Sequence, residues 1–249
     1  MQSKTSKRDV AATIETVRQR RRDPFVLDRI YRNVSGPAPR FSQAQFWYVL
    51  IGCLITTRQR ATKGSPVNRF LSRKPFPLSL GKCRQRNARS LIRSELTRFG
   101  GIRRAPTISK QACANLRWLS NGGWTEIKRH FDNLARQRSS DARPEHAVVE
   151  RNAAHFIDSL QGFGPKQSRN LWQWLGLTRY EIPLDARVTA WVNLNLSKEV
   201  DAKRLSNRQY YESILDYLQV VCREARILPC ILDAAAFDFE NAASSRRRK

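Results

Sequence analysis

The sequence predicts an all-α protein. Apolar residues recur at helical spacing along nearly the whole chain, and alternating β patterns are nearly absent. The breaks between apolar stripes carry Ser, Asp and Pro in the order that opens helices. Asp9 to Arg21 places Val10, Ala11, Ile14 and Val17 on one face with a basic back. Asp23-Pro24 reads as a cap followed by proline at the first helical position, opening a second helix to about Asn33. Residues 34–40 (VSGPAPR) read as a linker. Ser42 caps a strongly apolar helix to about Thr57, and Ser65-Pro66 starts a short one. Residues 74–82 (KPFPLSLGK) read as a loop. Further helices are expected over 83–99, 108–119, 124–137, 144–160, 165–175, 186–196, 206–226 and 228–238. The end of the chain, Ser244 to Lys249, reads as a solvated basic tail. No internal repeat or long linker marks a clean domain boundary, so one helical body is expected.

Charge narrows the partners. The 249 residues carry 46 Lys and Arg against 21 Asp and Glu, a formal net charge of +25. Residues 1–110 hold 25 basic against five acidic residues, whereas 111–249 hold 21 against 16. The pI near 11.0 passes the value of about 9 that marks nucleic-acid-binding domains. A membrane surface or an acidic protein would attract the same charge. With 41% hydrophobic residues and six Trp, the chain can bury a core, which excludes a disordered basic tail. The longest apolar run, Phe46 to Ile55, is ten residues, against about twenty for a bilayer span. No membrane partner is therefore expected. The first residues, MQSKTSKRDV, lack the apolar segment of a secretory signal. The expected location is intracellular: cytoplasm or nucleoid, or the nucleus in a eukaryote. Cys53, Cys83, Cys113, Cys222 and Cys230 are odd in number, far apart and without a C-x-x-C pair. That spacing argues against a disulfide framework or a four-thiolate metal site, and no histidine completes a zinc pattern.

The most specific stretch is IDSLQGFGPKQSRNLW, Ile157 to Trp172. It reads as a helix, a tight Gly162-Phe163-Gly164 turn and a second helix. The glycines permit dihedrals other residues resist and let the backbone approach another molecule closely. Pro165 occupies the first turn, where its missing N–H costs nothing. The free N–H groups of such a helix start suit a phosphate. Contact through them positions DNA without reading its sequence.

This stretch resembles the hairpin of the helix-hairpin-helix DNA glycosylase superfamily, whose turn reads L-x-G-hydrophobic-G-x-K followed by a small residue. Ser168 stands where Ala is usual. Those enzymes place an aspartate at a helix start about twenty residues on, after a proline and a hydrophobic residue. Here Ile182-Pro183-Leu184-Asp185 fits, nineteen residues after Lys166, as in the lysine-bearing 8-oxoguanine DNA glycosylase branch. A second resemblance lies in Phe46 to Gln59, similar to the early buried helix of the superfamily. That helix ends in a segment inserted into the duplex where the damaged base leaves. Arg58 falls on the wedge position, with Gln59 beside it; family members more often carry Gln or Asn there. Arg187 stands where relatives contact phosphate. Many relatives hold an iron–sulfur cluster on four close cysteines, and only Cys222 and Cys230 lie in that region here. The resemblance therefore implies the cluster-free branch, with no metal and no cofactor.

The resemblance implies a two-lobed fold. Residues 46–178 would form a helical barrel lobe with the helix-hairpin-helix at 156–175. Residues 1–45 and 179–249 would form the other lobe, with Lys166 and Asp185 in the cleft between them. It implies a bifunctional DNA glycosylase and AP lyase that removes oxidised guanine (8-oxoguanine) from damaged double-stranded DNA, working as a monomer. Lys166 would be the nucleophile, forming a Schiff base at the sugar C1′. Asp185 would stabilise positive charge or help deprotonate the amine. Gly162, Phe163, Gly164, Arg58, Gln59 and Arg187 would contact DNA. A flipped base needs stacking aromatics; Trp172, Phe237 and Phe239 are the candidates, with Trp174 and Trp191 behind them. Three rivals stay open: a glycosylase for another damaged base or without the lyase step, a non-catalytic hairpin-bearing DNA binder, and an RNA-binding protein.

Overall fold

The computed structural model describes residues 6–59, 61–85 and 87–237. The basic tail, Phe239 and Arg86 therefore lie outside the described residues. Thirteen α-helices, and no strand, occur among those described. They are α1 (Lys7–Arg20), α2 (Pro24–Ile30), α3 (Gln43–Thr56), α4 (Pro66–Leu71), α5 (Leu80–Gln85), α6 (Ala88–Phe99), α7 (Ala105–Trp118), α8 (Trp124–Arg138), α9 (His146–Ile157), α10 (Pro165–Trp174), α11 (Ala186–Asn195), α12 (Arg208–Glu224) and α13 (Pro229–Ala236). None of the described helices is long and apolar enough to cross a membrane.

The caps work as the side-chain chemistry dictates. Asp23 accepts from the N–H of Phe25, Ser42 from Gln45 and Ser65 from Asn68. Four boundaries differ from the expectation. The second helix widens into a π-turn over Tyr31–Ser35, which takes the first residues of the expected linker. The expected loop 74–82 gives way to α5, because Leu78, Leu80 and Cys83 are all buried and Trp47 Nε1 binds the Leu78 carbonyl at 2.9 Å. The expected helix 83–99 is split, since Asn87 turns its side chain to the Ser90 N–H and starts α6 afresh. α7 begins at Ala105, earlier than expected, with Pro106 in its first turn.

Two large hydrophobic cores divide the described residues, beside a small third cluster at Val26, Ala234 and Ala235. The first runs from Phe46 to Leu177 around α3, whose apolar residues point in every direction because the other helices of this lobe surround it. Gly52 lets α10 close on α3: a Cβ there would lie 2.6 Å from the Trp174 ring. The second core runs from Ile182 to Ala236 and takes in Ala12, Val17 and Val34 from the N-terminal segment.

The lobes are joined by hydrogen bonds between buried groups, and their hydrophobic cores stay separate. Asn33 Nδ2 donates to the carbonyls of Gln173 and Thr178. The buried Glu150 carboxylate accepts the backbone N–H groups of Arg179, Tyr180 and Glu181 at 2.7–2.8 Å. Such contacts cost most when half-broken, so they fix one arrangement of the lobes.

Candidate active site

The hairpin is clamped from inside and open outside. Gly162 has φ +85°, the left-handed region where a side chain would be strained, and a Cβ there would lie 2.6 Å from the Gln111 side chain. Asn115, on α7 and 1% exposed, holds the turn by a reciprocal pair. Its Nδ2 donates to the Gln161 carbonyl at 3.0 Å, and its Oδ1 accepts the Gln161 N–H at 2.8 Å. Gly164 caps α10 with no side chain of its own, and nothing lies within 4 Å of where its Cβ would be. The first N–H groups of α10 thus start next to open space.

Lys166 is the second residue of α10. It is half-buried, and its amine has no hydrogen-bond or ion-pair partner among the described residues. Its charge reaches the buried Cys53 thiol, which burial pushes up to about 12 while Lys166 pulls the other way. Three residues on, Arg169 is fully buried. It donates from Nη1 to the Pro165 carbonyl at 3.0 Å and from Nε to Glu181 at 2.8 Å, and lies over the Tyr211 ring. Tyr211 in turn binds the Leu184 N–H at 2.7 Å. The turn carrying Lys166 and the segment leading into Asp185 are therefore tied together through Arg169 and Tyr211. No hydrogen bond or ion pair joins Lys166 to Asp185 themselves.

Asp185 caps α11, with Oδ1 accepting the N–H groups of Arg187 and Val188. Its Oδ2 takes the Arg187 guanidinium. Arg187 is thus spent inside the site rather than offered to phosphate. The guanidinium also lies 3.5 Å from the centre of the Phe237 ring, which stacks on Phe25 at 4.3 Å. Beneath them is Asp233, whose carboxyl burial pushes up; Arg29 opposes the shift and Asp185 adds to it.

At the other end of α3, Thr57 is extended and Arg58 takes φ +59°. That conformation costs a non-glycine residue about 1 kcal/mol, and Arg58 is exposed with no partner for its side chain among the described residues. Gln59 is a correction to its expected DNA contact. Its amide is consumed by backbone, donating to the carbonyls of Ile55 and Arg103 and accepting the Arg103 N–H. Arg104, beside it, also has positive φ, +64°, and reaches the Thr57 carbonyl at 3.5 Å. α7 and the two residues before it therefore bridge the Arg58 loop to the hairpin, with Arg103 just before the helix and Lys110 on it both exposed.

The aromatic candidates separate. Trp172 is 0% exposed, hydrogen-bonded to the Ala153 carbonyl and packed near Phe46, so it is core and lines no base pocket. Trp191 is buried in the second core, and Trp174 packs on Gly52 and Tyr48. Phe237 alone stands beside Asp185; Phe239 is outside the described residues. Sequence reasoning missed Asn115 and Gln111. A polar residue on the buried stripe of α7 was the one available signal for Asn115.

No family model matches the sequence, and no curated protein matches it. Solved structures do match the fold. One is the Methanocaldococcus jannaschii 8-oxoguanine glycosylase/lyase in complex with a 15mer DNA containing 8-oxoguanine. It aligns with a TM-score of 0.66 over 92% of this chain and 97% of that one, at 15% identity. A second is M. jannaschii 8-oxoguanine DNA glycosylase, with a TM-score of 0.65 over 94% of each chain, at 17% identity. The chain thus has the all-α fold of those 8-oxoguanine DNA glycosylases over nearly its whole length.

Proposed function

We propose that this chain is a bifunctional DNA glycosylase and AP lyase that excises oxidised guanine, 8-oxoguanine, from duplex DNA. The observation that carries the reading is the unpartnered Lys166 amine, which follows the open hairpin residue Gly164 in a chain of this fold. Hairpin N–H groups and the cations Arg103 and Lys110 grip the backbone, and Arg58 enters the duplex where the base leaves. The fully buried Trp172 takes no part, and the flipped base stacks on Phe237 once Arg187 moves aside.

The chemistry balances on two residues. The neutral amine of Lys166 attacks C1′ as the N-glycosidic bond breaks, and the base leaves with its bonding pair and takes up a proton. Loss of the amine proton and opening of the sugar give a Schiff base. Removal of a C2′ proton then expels the 3′ phosphate and nicks the strand. Asp185 offsets the positive charge that builds on the sugar. The route uses no metal or cofactor, and a substrate of this kind puts the protein where the genome is.

The test is a panel of duplexes, each carrying one modified base, scored separately for base release and strand nicking. Release and nicking at 8-oxoguanine support the reading. Release confined to oxidised pyrimidines, or release without nicking, contradicts the substrate or the lyase step respectively.

A further inference from the structure

We infer that Gln167 is a positioning residue that links the Arg58 loop to Lys166 through Thr57. The inference rests on the glycosylase and lyase reading above. Gln167, 6% exposed, donates from Nε2 to Thr57 Oγ1 at 2.8 Å. Thr57 Oγ1 donates in turn to the Cys53 carbonyl at 2.9 Å. The single hydroxyl hydrogen and an acceptor site of Thr57 are both engaged, which fixes its rotation. On the other side Gln167 Oε1 accepts from Asn170 Nδ2 at 3.2 Å, and Asn170 also contacts Cys53 Sγ at 3.5 Å.

This bridge joins only two segments, and each of its ends adjoins a residue proposed to act on DNA. Thr57 precedes Arg58, and Gln167 follows Lys166. The gap between α3 and α10 could be filled by apolar atoms of the same shape with little effect on stability. An amide and a hydroxyl instead impose direction. When Arg58 enters the duplex as the base leaves, the bridge holds the Lys166 turn at a fixed offset from the wedge. C1′ must arrive within about 3–3.5 Å of the attacking nitrogen, so that offset bears on rate. Neither Gln167 nor Thr57 touches substrate in this account.

The experiment compares single-turnover base release from an 8-oxoguanine duplex with elimination on single-stranded DNA bearing a preformed abasic site. Extrusion is needed only in the first. Gln167→Met and Thr57→Val are each expected to slow release from the duplex by roughly threefold to tenfold, the value of one hydrogen bond. Thr57→Ser, which keeps the hydroxyl, restores the rate. Elimination on the single strand is unchanged in all three variants; Gln167→Met and Thr57→Val each lower the melting temperature by a few degrees, from the group left unpaired, and stay folded under the assay. Gln167→Met added to Arg58→Ala costs nothing further, because the link then has nothing to transmit. Multiplying losses in that double variant, or an equal loss on the single strand, overturn the link while leaving the glycosylase reading intact. A parent chain that neither releases a modified base nor cuts an abasic strand overturns both.

Discussion

The Arg187 guanidinium grips Asp185 and covers Phe237 at once. Its Nε and Nη2 lie 3.0 and 2.5 Å from Asp185 Oδ2, and its carbon lies 3.5 Å from the ring centre of Phe237. Asp185 Oδ1 is meanwhile held by two backbone N–H groups. One oxygen builds the helix, and the other is occupied by a side chain that can rotate away.

That division separates stability from chemistry at Asp185. Asp185→Asn keeps a carbonyl oxygen for the cap, whereas Asp185→Ala removes it and should cost about 1 kcal/mol. Both should lose base release by at least about 10²-fold, because neither offsets charge on the sugar. Thermal unfolding beside single-turnover kinetics checks this. An Asp185→Asn variant with full base release would contradict the role.

Phosphate grip should follow position rather than charge count. Arg84 donates to Gln43 and lies over Trp124, at the start of α3 and about 20 Å along it from Arg58 at 1.5 Å per residue. Arg103, just before α7, and Lys110, on it, are exposed along the bridge from the Arg58 loop to the hairpin. Arg103→Gln and Lys110→Gln should each lower the slope of log K against log salt by about 0.9, on damaged and undamaged duplex alike. Arg84→Gln and Arg187→Met should leave it nearly unchanged. Equal slope losses at all four sites would mean that the DNA face is drawn wrongly.

Asn115 should matter although it touches no DNA. Asn115→Ala removes both bonds to Gln161 and leaves a backbone N–H and C=O without partners. We expect a loss of about 2 kcal/mol in unfolding free energy. We also expect weaker binding to any duplex, measured by anisotropy, because the hairpin loses its clamp. Unchanged binding would place the DNA contact elsewhere.

The hairpin, the caps at Asp23, Ser42, Ser65 and Asp185, and the all-α class were legible in the sequence because each is local. A cap or a G-x-G turn acts over four residues, and the sequence prints all four. What was not legible depends on who faces whom. Trp172 and Phe237 are both aromatic and C-terminal to the hairpin, yet one sits at the centre of the first core and the other beside Asp185. Gln59 reads as a free amide until Arg103, 44 positions away, arrives to use it. α5 hides in a proline-rich stretch because Trp47 fixes Leu78 from another helix.

Glu150 should give the fold a pH dependence. Burial pushes its carboxyl up from 4.5 to about 7, although three backbone N–H groups favour the ionised form. In that window the folded chain keeps a proton the unfolded chain has lost. This group's contribution is therefore full below about pH 4.5 and is lost as pH rises towards 7. Glu150→Gln should be less stable overall, since its NH2 meets a backbone N–H, and its melting temperature should vary less across that window. Parallel profiles for the two proteins would contradict the assignment.

The central claim is that the Lys166 amine forms a covalent bond with the sugar. Borohydride reduction during reaction with an 8-oxoguanine duplex traps that Schiff base as a protein–DNA adduct. The parent chain should give the adduct and Lys166→Gln should give none, while still binding the duplex. An adduct formed by Lys166→Gln would contradict the account, because another amine would then be the nucleophile.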